Sequence, residues 1–594
     1  MMPKVSTGRL SAMLASRQRW CISRQRPWGL PIPVFYNKED PRAPPLITEE
    51  TVKYVSSVFA EEGSTAWWQR DTADLLPPTM SAEEKAKYEK GRDTLDVWFD
   101  SGCTWNSVLR ERGLPTPSDL VLEGSDQHRG WFQSSLLTSV ASTSAVDEDG
   151  KREWGGAPYR AIYTHGFVLD GEGRKMSKSV GNVVSPQMVV NGTGDAAASG
   201  GGKKGKGVKG KGKGKGGGGG KWPAYGADVL RWWAVSVDST RDVAMSREGM
   251  EKTFENVRRL RNTIRYLLGN LNDFHPADHL PGFVSAGDES IKLEFERQLD
   301  AYVAKRLFST IHTSSSDLSS LLFPKYAASL TSFVSADLSS LYFEAIKDRL
   351  YADERDGKSR RSAQAVLYLT YDRLVRVLTP SLPHLCEDAF QHSPVYQRIP
   401  DLEGFLKSGS MGEAGTVMEY TWPSTSEWEV QRSQHNGVND VDEDEAMRRV
   451  LNMRDSVKRV LEKSRNEGLV GSSTDADVTL QVDTNAAPLE KALSWFDGVP
   501  VLGSTTSGAV ELPALAELSV TSSFDVSKAD DREWEWKHAT YVDANGNTVD
   551  NENDAAARLI VHQPKGGKCA RCWRWLAPSS GALCQRCSDV LVQQ

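Results

Sequence analysis

Four cysteines spaced C-x2-C-x11-C-x2-C, Cys569, Cys572, Cys584 and Cys587, crowd the last 26 residues of a 594-residue chain. Each C-x2-C pair can turn two thiolates toward one point, and four thiolates suit tetrahedral zinc. Four sulfurs fill the coordination shell, so the expected ion is structural rather than catalytic, one per chain. Lys568, Arg571, Arg574 and Arg586 flank the ligands; they are expected to lower the thiol pKa values and to offer a basic surface. Cys21, Cys103 and Cys386 have no partner spacing and read as buried small hydrophobes. Seven cysteines are too few and too uneven for a disulfide framework in a chain this long, and the crowding of four of them near the end points to a metal in a reducing compartment.

The length allows roughly four cores, and 25% charged with 39% hydrophobic residues is the balance of a soluble globular protein. No run of eighteen apolar residues occurs, so no membrane span is expected. The Arg-rich start could mimic a transit peptide, but "WCISRQRPWG" reads as folded protein. A net charge of −7 leaves no global nucleic-acid footprint, although a large RNA-binding protein can be acidic overall and basic on one face.

Between about Trp20 and Asp170, short apolar runs ("PIPVFY", "DLVLEG", "YRAIYTHGFVL") alternate with helical patterns such as "WFQSSLLTSVA", which suggests a parallel α/β sheet. Residues 192–221 form a Gly/Lys tract with eight lysines from Lys203 to Lys221; it holds too little apolar surface to order itself. From Met250 the pattern turns helical. Leu367, Tyr371, Leu374 and Leu378 make one apolar stripe that stops before Pro380, and an antiparallel bundle is expected over about 247–400. A charged helix follows near 440–462, then short β-like segments such as "DVTLQV".

"GEGRKMSKSVGN", Gly171–Asn182, has Met176 and Val180 as its only apolar residues. Taken alone it is either solvated surface or a clamp for phosphates. The surrounding motifs are "WCISRQRPWGLPIPVFY" (20–36), "DTLDVWFDSG" (93–102), "LEGSDQHRGWFQSS" (122–135), "THGFVLDGEGRKMSKSVGNVVSP" (164–186), "YGADVLRWWAVSVDSTRDV" (225–243) and "DLSSLYFEAIKDRLY" (337–351). With them the chain resembles the isoleucyl-tRNA synthetases of the bacterial and organellar type, over nearly its whole length apart from the Gly/Lys tract. The Lys-Met-Ser-Lys-Ser signature alone implies only a class I synthetase; "GSDQHRGWF" after an apolar strand is what the isoleucine enzymes carry.

The resemblance implies an α/β fold, a partial Rossmann-type class I catalytic domain, followed by an all-α anticodon-binding bundle and a small C-terminal zinc knuckle. The implied segments are 1–25, the end of an editing-domain insertion; 26–246, the second half of the catalytic domain; 247–430, the anticodon-binding helices; 431–558, a junction region; and 559–594, the knuckle. It implies ATP-dependent activation of isoleucine and transfer to tRNA-Ile, with ATP and Mg2+ as substrate, by a monomer, in an organelle or in the cytoplasm.

Activation expels pyrophosphate, so lysines that close on the phosphates stabilise charge that builds in the transition state. By resemblance Lys178 contacts ATP with Lys175 in support, and Gly171, Gly173 and Gly181 let the loop open and shut. Glu123, Gly124, Asp126 and Gln127 are implied to line the aminoacyl-adenylate site, Glu123 holding either a ribose hydroxyl or the substrate ammonium. Taken alone "EGSDQ" equally suits an N-cap and turn. His165 is expected to face the nucleotide, and Trp98 and Trp131 to flank the isoleucine side chain. Rejecting valine by one methylene is worth only about 1–3 kcal/mol, a limit long illustrated with this very family.

The ten histidines include no His-x-Gly-His, the first class I signature. The chain is therefore expected to be the C-terminal portion of the enzyme, inactive alone. A tRNA-binding protein without catalysis and a valine-specific synthetase are the alternatives. Arg258, Arg261 and Arg265 stand at i, i+3, i+7 on one helix, suited either to RNA phosphates or to a solvated face. Trp573 and Trp575, around Arg574, either stack on bases or cover the small zinc core. "CEDAF" at 386–390 and the short gap between cysteine pairs depart from the family's usual pattern.

Overall fold

The computed structural model describes all residues except 18, 27, 143–155, 194–221, 281, 284–290, 296, 395–414, 421, 424–427, 433–441, 483–486, 498–513, 529–537, 551–553, 565 and 594. The Gly/Lys tract expected to be unordered thus lies, from 194 onward, outside the described residues. Contacts divide the chain into two compact units, Met1–Asn182 with Asp238–Ala244, and Val183–Val237 with Met245–Gln594.

The first unit opens with helix α1 (Val5–Ala15) and continues into a small satellite, strand β1 (Phe35–Asn37), helix α2 (Glu49–Glu62) and strand β2 (Tyr88–Lys90). Phe35, Val55, Val58, Trp67, Leu75 and Leu76 form the satellite's own core, and the Trp67 indole donates to the Gly91 carbonyl at 3.0 Å. Helix α3 (Val97–Gly102) is capped by Asp96, whose carboxylate accepts the Trp98 N–H. Strand β3 (Ser118–Gly124), helix α4 (Trp131–Ser142) and strand β4 (Tyr159–His165) then make a strand–helix–strand unit. β3 and β4 pair in parallel with Glu123 opposite Thr164 and Gly124 opposite His165. Phe132 on α4 packs with Ile162 on β4 and Leu10 on α1. Strands β5 (Val168–Leu169) and β6 (Val243–Ala244), also parallel, flank the lysine loop.

Cys21 is exposed, contrary to its reading as a buried hydrophobe; it precedes the two-residue strand Ser23–Arg24, too short to cover anything, and lies 3.5 Å from the Ser23 hydroxyl. Cys103 is half-buried, and Cys386 alone of the three is buried.

The second unit is mostly helical: α5 (Ala227–Ser236), α6 (Arg247–Gly269), α7 (Gln298–Ser319), α8 (Phe323–Ser332), α9 (Lys347–Ala352), α10 (Lys358–Leu378) and α11 (Pro383–Gln391). A single apolar stripe on α10 underestimates it, for every residue from Arg361 to Leu378 is buried. A helix at the centre of a bundle has no solvent face, so its charges must be matched inside. Asp372 takes Arg376 at 2.9 Å and also pairs with Arg373. Nearby, Asp300 accepts both Arg349 guanidinium ends, at 2.7 and 2.9 Å, with the Tyr342 and Ser362 hydroxyls. Arg349 Nε lies 2.6 Å from Glu517.

Helix α12 (Glu443–Asn466) leads into strand β7 (Asp477–Val482), helices α13 (Ala487–Asp497) and α14 (Ala514–Ser519), and strands β8 (Ser523–Lys528), β9 (His538–Val542), β10 (Thr548–Val549) and β11 (Ala557–His562). The sheet order is β8-β7-β11-β9-β10. β7 is an interior strand, parallel to β8 and antiparallel to β11, which is why "DVTLQV" is buried almost without alternation. The cysteine knuckle and helix α15 (Gln585–Gln593) close the chain. Among the described residues no helix is long and apolar enough to cross a membrane.

Candidate functional site

The paired strand ends of β3 and β4 bring Glu123, Gly124 and His165 side by side. In open α/β sheets this carboxyl end is where ligands bind. His165 Nδ1 donates to the Gly166 carbonyl at 2.8 Å and turns Nε2 to within 3.8 Å of Glu123. The Glu123 carboxylate accepts the Gly124 N–H at 2.8 Å and is half exposed. Gly124 is buried with the Asp126 carboxylate folded over it, so that a Cβ there would meet Asp126 Oδ1 at 2.6 Å and turn that exposed side chain aside.

Gln127 joins this acidic corner to the two indoles. Its amide donates to Asp126 at 3.3 Å, and its carbonyl oxygen accepts the Trp131 N–H at 3.1 Å, starting α4. Trp98 lies against the Gly130 backbone, where a Cβ would meet its ring at 2.8 Å. The Trp131 indole donates to the Ser101 carbonyl at 2.9 Å, tying α4 to α3. Trp98 is 45% exposed, an environment unlike that of a core aromatic. Asp96, buried, fixes Trp98 from below and also takes Trp20 Nε1 at 2.9 Å and Arg24 at 2.6 Å. Sequence reasoning passed over Asp96, although an Asp just before "VWFDSG" is an N-cap signal. Carboxylates beside open apolar rings can hold a small molecule that carries both an ammonium or hydroxyl groups and an apolar side chain.

Lys175 and Lys178 occupy the loop after β5. No hydrogen bond or ion pair among the described residues joins their ammonium groups to the Glu123 and Trp98 cluster. The Lys175 ammonium rests 4.4 Å from the Phe167 ring centroid. Lys178 is exposed, and no hydrogen bond or ion pair among the described residues holds its ammonium. Gly173 and Gly181 take φ of +77° and +73°, left-handed conformations that glycine adopts without a Cβ penalty. The Asp170 carboxyl is drawn down to about 2 by hydrogen bonds from Asn182 and the Arg174 backbone.

The four knuckle sulfurs lie within 4.8 Å of one another. Cys572 and Cys584 are 3.8 Å apart, close to the edge of about 3.8 Å that a tetrahedron of 2.3 Å zinc–sulfur bonds demands. Four sulfurs at this spacing fit zinc. Against burial, backbone N–H groups of Cys572, Cys584 and Arg571 bring the Cys569 thiol down to about 6, whereas the neighbouring thiols and burial push Cys572, Cys584 and Cys587 up to about 11, so the flanking cations do not lower the set as expected.

Among the described residues, the four cations expected to make a basic surface around the knuckle are engaged by partners within the unit. Arg574 and Arg586 are buried and both pair with Asp348 on α9, which they hold below the usual carboxylate range against the effect of burial. Lys568 and the Trp575 indole meet Asp475, each at 2.9 Å, and Arg571 donates to the Ala352 carbonyl at 2.6 Å. Trp575 is thus half-buried packing, whereas Trp573 is 66% exposed at φ +65°. On α6, Arg258 pairs with Glu255 and Arg261 with Asp388 of the "CEDAF" run; of the three stripe arginines only Arg265 has no carboxylate partner among the described residues.

Residues 1–246 match the family described as tRNA synthetases class I (I, L, M and V), and residues 300–480 the anticodon-binding domain of tRNA ligase. The chain is 37% identical over 596 residues to the isoleucine–tRNA ligase, chloroplastic/mitochondrial, of Arabidopsis thaliana, covering 99% of this chain and 47% of that one. It is 36% identical to the isoleucine–tRNA ligase of Synechococcus sp. (strain CC9311), covering 100% and 52%. Among solved structures, the LeuRS–tRNA–LeuAMS ternary complex of Agrobacterium radiobacter K84 aligns with a TM-score of 0.44 and 18% identity, over 69% of this chain and 42% of that one. The chain spans about half the length of the curated relatives it matches.

Proposed function

The chain belongs to the class I tRNA synthetases, and from that membership we propose that it serves isoleucine–tRNA ligation, the ATP-dependent activation of isoleucine and its transfer to tRNA-Ile. One observation carries the reading: Glu123, Gly124, Asp126, Gln127 and His165 converge at adjacent strand ends beside the exposed indole of Trp98 and the half-buried indole of Trp131. In this reading the indoles flank the isoleucine side chain and the acidic corner holds the ammonium or a ribose hydroxyl. His165 faces the nucleotide. Lys178, with Lys175 in support, neutralises the departing pyrophosphate of Mg2+-bound ATP, which is electrostatic stabilisation by groups whose charges no carboxylate in the loop engages.

Cys569, Cys572, Cys584 and Cys587 would hold one zinc ion, which when bound cross-links the knuckle; the chain's own basic residues dock that knuckle on α9. The helical unit would hold tRNA, with Trp573 as an exposed stacking face and Arg265 as a cation open to phosphate. The likeness to the chloroplastic/mitochondrial enzyme of Arabidopsis supports an organellar setting.

The test is isoleucine-dependent ATP–pyrophosphate exchange, run on this chain joined to the half of a relative that carries His-x-Gly-His. Lys178→Ala is expected to lower exchange by about 100-fold or more, the scale of removing one transition-state donor. Exchange that prefers valine, or that ignores Lys178→Ala, removes the reading.

A further inference from the structure

An aspartate stands at the base of a loop proposed to grip phosphates, and its charge needs an explanation. Asp170 is only 5% exposed on an otherwise open segment. Its carboxylate receives four hydrogen bonds: the Glu172 N–H at 3.0 Å, the Arg174 N–H at 2.8 Å, Arg174 Nε at 3.0 Å and Asn182 Nδ2 at 2.9 Å. An anion whose lone pairs are all engaged locally, with a guanidinium against it, presents little field to an incoming phosphate.

Asn182, at the far end of the loop, works with both halves of its carboxamide. Nδ2 donates to Asp170 and, at 3.2 Å, to the Lys175 carbonyl, while Oδ1 accepts the Ser177 N–H at 3.0 Å. Backbone bonds complete the frame. Asp170 N–H donates to the Arg174 carbonyl and Gly173 N–H to the Asp170 carbonyl, both at 2.9 Å, and Gly181 N–H donates to the Ser177 carbonyl at 3.1 Å. Lys178 thus sits on a turn held at both ends, although no hydrogen bond or ion pair among the described residues holds its own ammonium. A lysine acting by electrostatics gains from a backbone already in its working geometry.

We propose that Asp170 and Asn182 are positioning residues, a carboxylate–carboxamide clasp that sets the register of Lys175 and Lys178. The clasp deepens the proposed function and, for its role in catalysis, rests on that reading.

The test begins without catalysis, on the full chain. Trypsin cleavage after Arg174, Lys175 and Lys178 reports how often the loop opens. Asn182→Asp sets two carboxylates face to face and is expected to speed cleavage by about tenfold, the worth of a lost hydrogen bond plus repulsion. The swap Asp170→Asn with Asn182→Asp restores one donor and one acceptor across the clasp. It is expected to bring cleavage back to within about threefold of the unaltered chain. Cleavage unchanged in the single variant, or a swap no slower than that variant, overturns the clasp; a thermal midpoint measured in parallel separates loop opening from global unfolding.

The catalytic arm uses exchange on the joined protein. The single variant should lower kcat with KM for ATP little changed, and the swap should recover kcat. If Lys178→Ala lowers exchange while Asn182→Asp does not, the positioning role is overturned. If trypsin reports the clasp but neither substitution alters exchange, the clasp stands and the phosphate reading of the loop falls.

Discussion

The lysine loop and the cysteine knuckle are both short, cation-rich turns, and their cations have opposite fates. In the loop, Lys178 is exposed and unpaired among the described residues, while the backbone beneath it is tied by Asp170 and Asn182. In the knuckle, Arg574, Arg586 and Lys568 are all paired with carboxylates of the same unit, and Arg571 with a carbonyl. A basic cluster therefore stays open to an outside anion only where no internal carboxylate reaches it; within the loop itself Arg174 is taken by Asp170 and Glu172, and Lys178 is not. Inside a packed unit the same residues are fasteners, worth several kcal/mol when one partner is removed.

The comparison breaks most visibly at Asp348. Asp348→Ala leaves two buried guanidinium groups without their shared partner and is expected to cost about 3–5 kcal/mol of unfolding free energy. Chemical denaturation measures it, and a cost below about 1 kcal/mol, the range of exposed pairs, means the knuckle cations are not fasteners.

Asp353 sharpens the same point. Burial pushes its carboxyl up to about 6 despite Arg586 nearby. The folded protein then binds a proton that the unfolded chain releases near pH 4, so stability from this group falls as pH rises from about 4 to 6 and stays low above. Asp353→Asn is expected to gain on the order of 2 kcal/mol at pH 7.5 and nothing at pH 4, read from denaturation at the two pH values.

Trp573 is the knuckle's counterpart to Lys178, an open side chain at the tip of a turn. Trp573→Gly suits φ +65° and is expected to leave stability equal or up to about 1 kcal/mol higher. If the ring stacks on a base, the same change weakens tRNA binding by about 1–3 kcal/mol in a filter or fluorescence titration. Binding that is unaffected leaves the knuckle purely structural.

At the loop, acid should release the clasp late. Asp170 titrates at about 2 rather than near 4, so its contribution is complete above about pH 4 and is lost as pH falls toward 2. The Asn182 side-chain amide signals, followed by NMR, should hold their position until about pH 3.

Features encoded by neighbours in the chain were legible in the sequence. The four cysteines, the strand ending at Gly124, the α4 helix after it, the helical unit and "DVTLQV" all follow from local spacing. What the sequence hides is the partner. Arg574 and Arg586 display their charge at once, but Asp348 lies more than two hundred residues earlier and reads as an ordinary helix-surface acid. The same blindness made α10 look one-sided: Asp372, Arg373 and Arg376 resemble a solvent face until their mutual pairing is seen. Asp170 and Asn182 looked like turn residues, and nothing local says that their side chains meet.

Helix α9 carries the two opposed anchors on consecutive residues, Asp348 toward the knuckle and Arg349 toward Asp300 and Glu517. Deleting a single residue ahead of them would rotate both side chains by about 100° around the helix axis. Each anchor would then leave its own socket, and neither could serve the other's, since a carboxylate facing Asp300 or a guanidinium facing Arg586 repels. The spacing through this short segment is consequently intolerant of insertion or loss, and the cysteine knuckle and the bundle can be exchanged between relatives only as one piece.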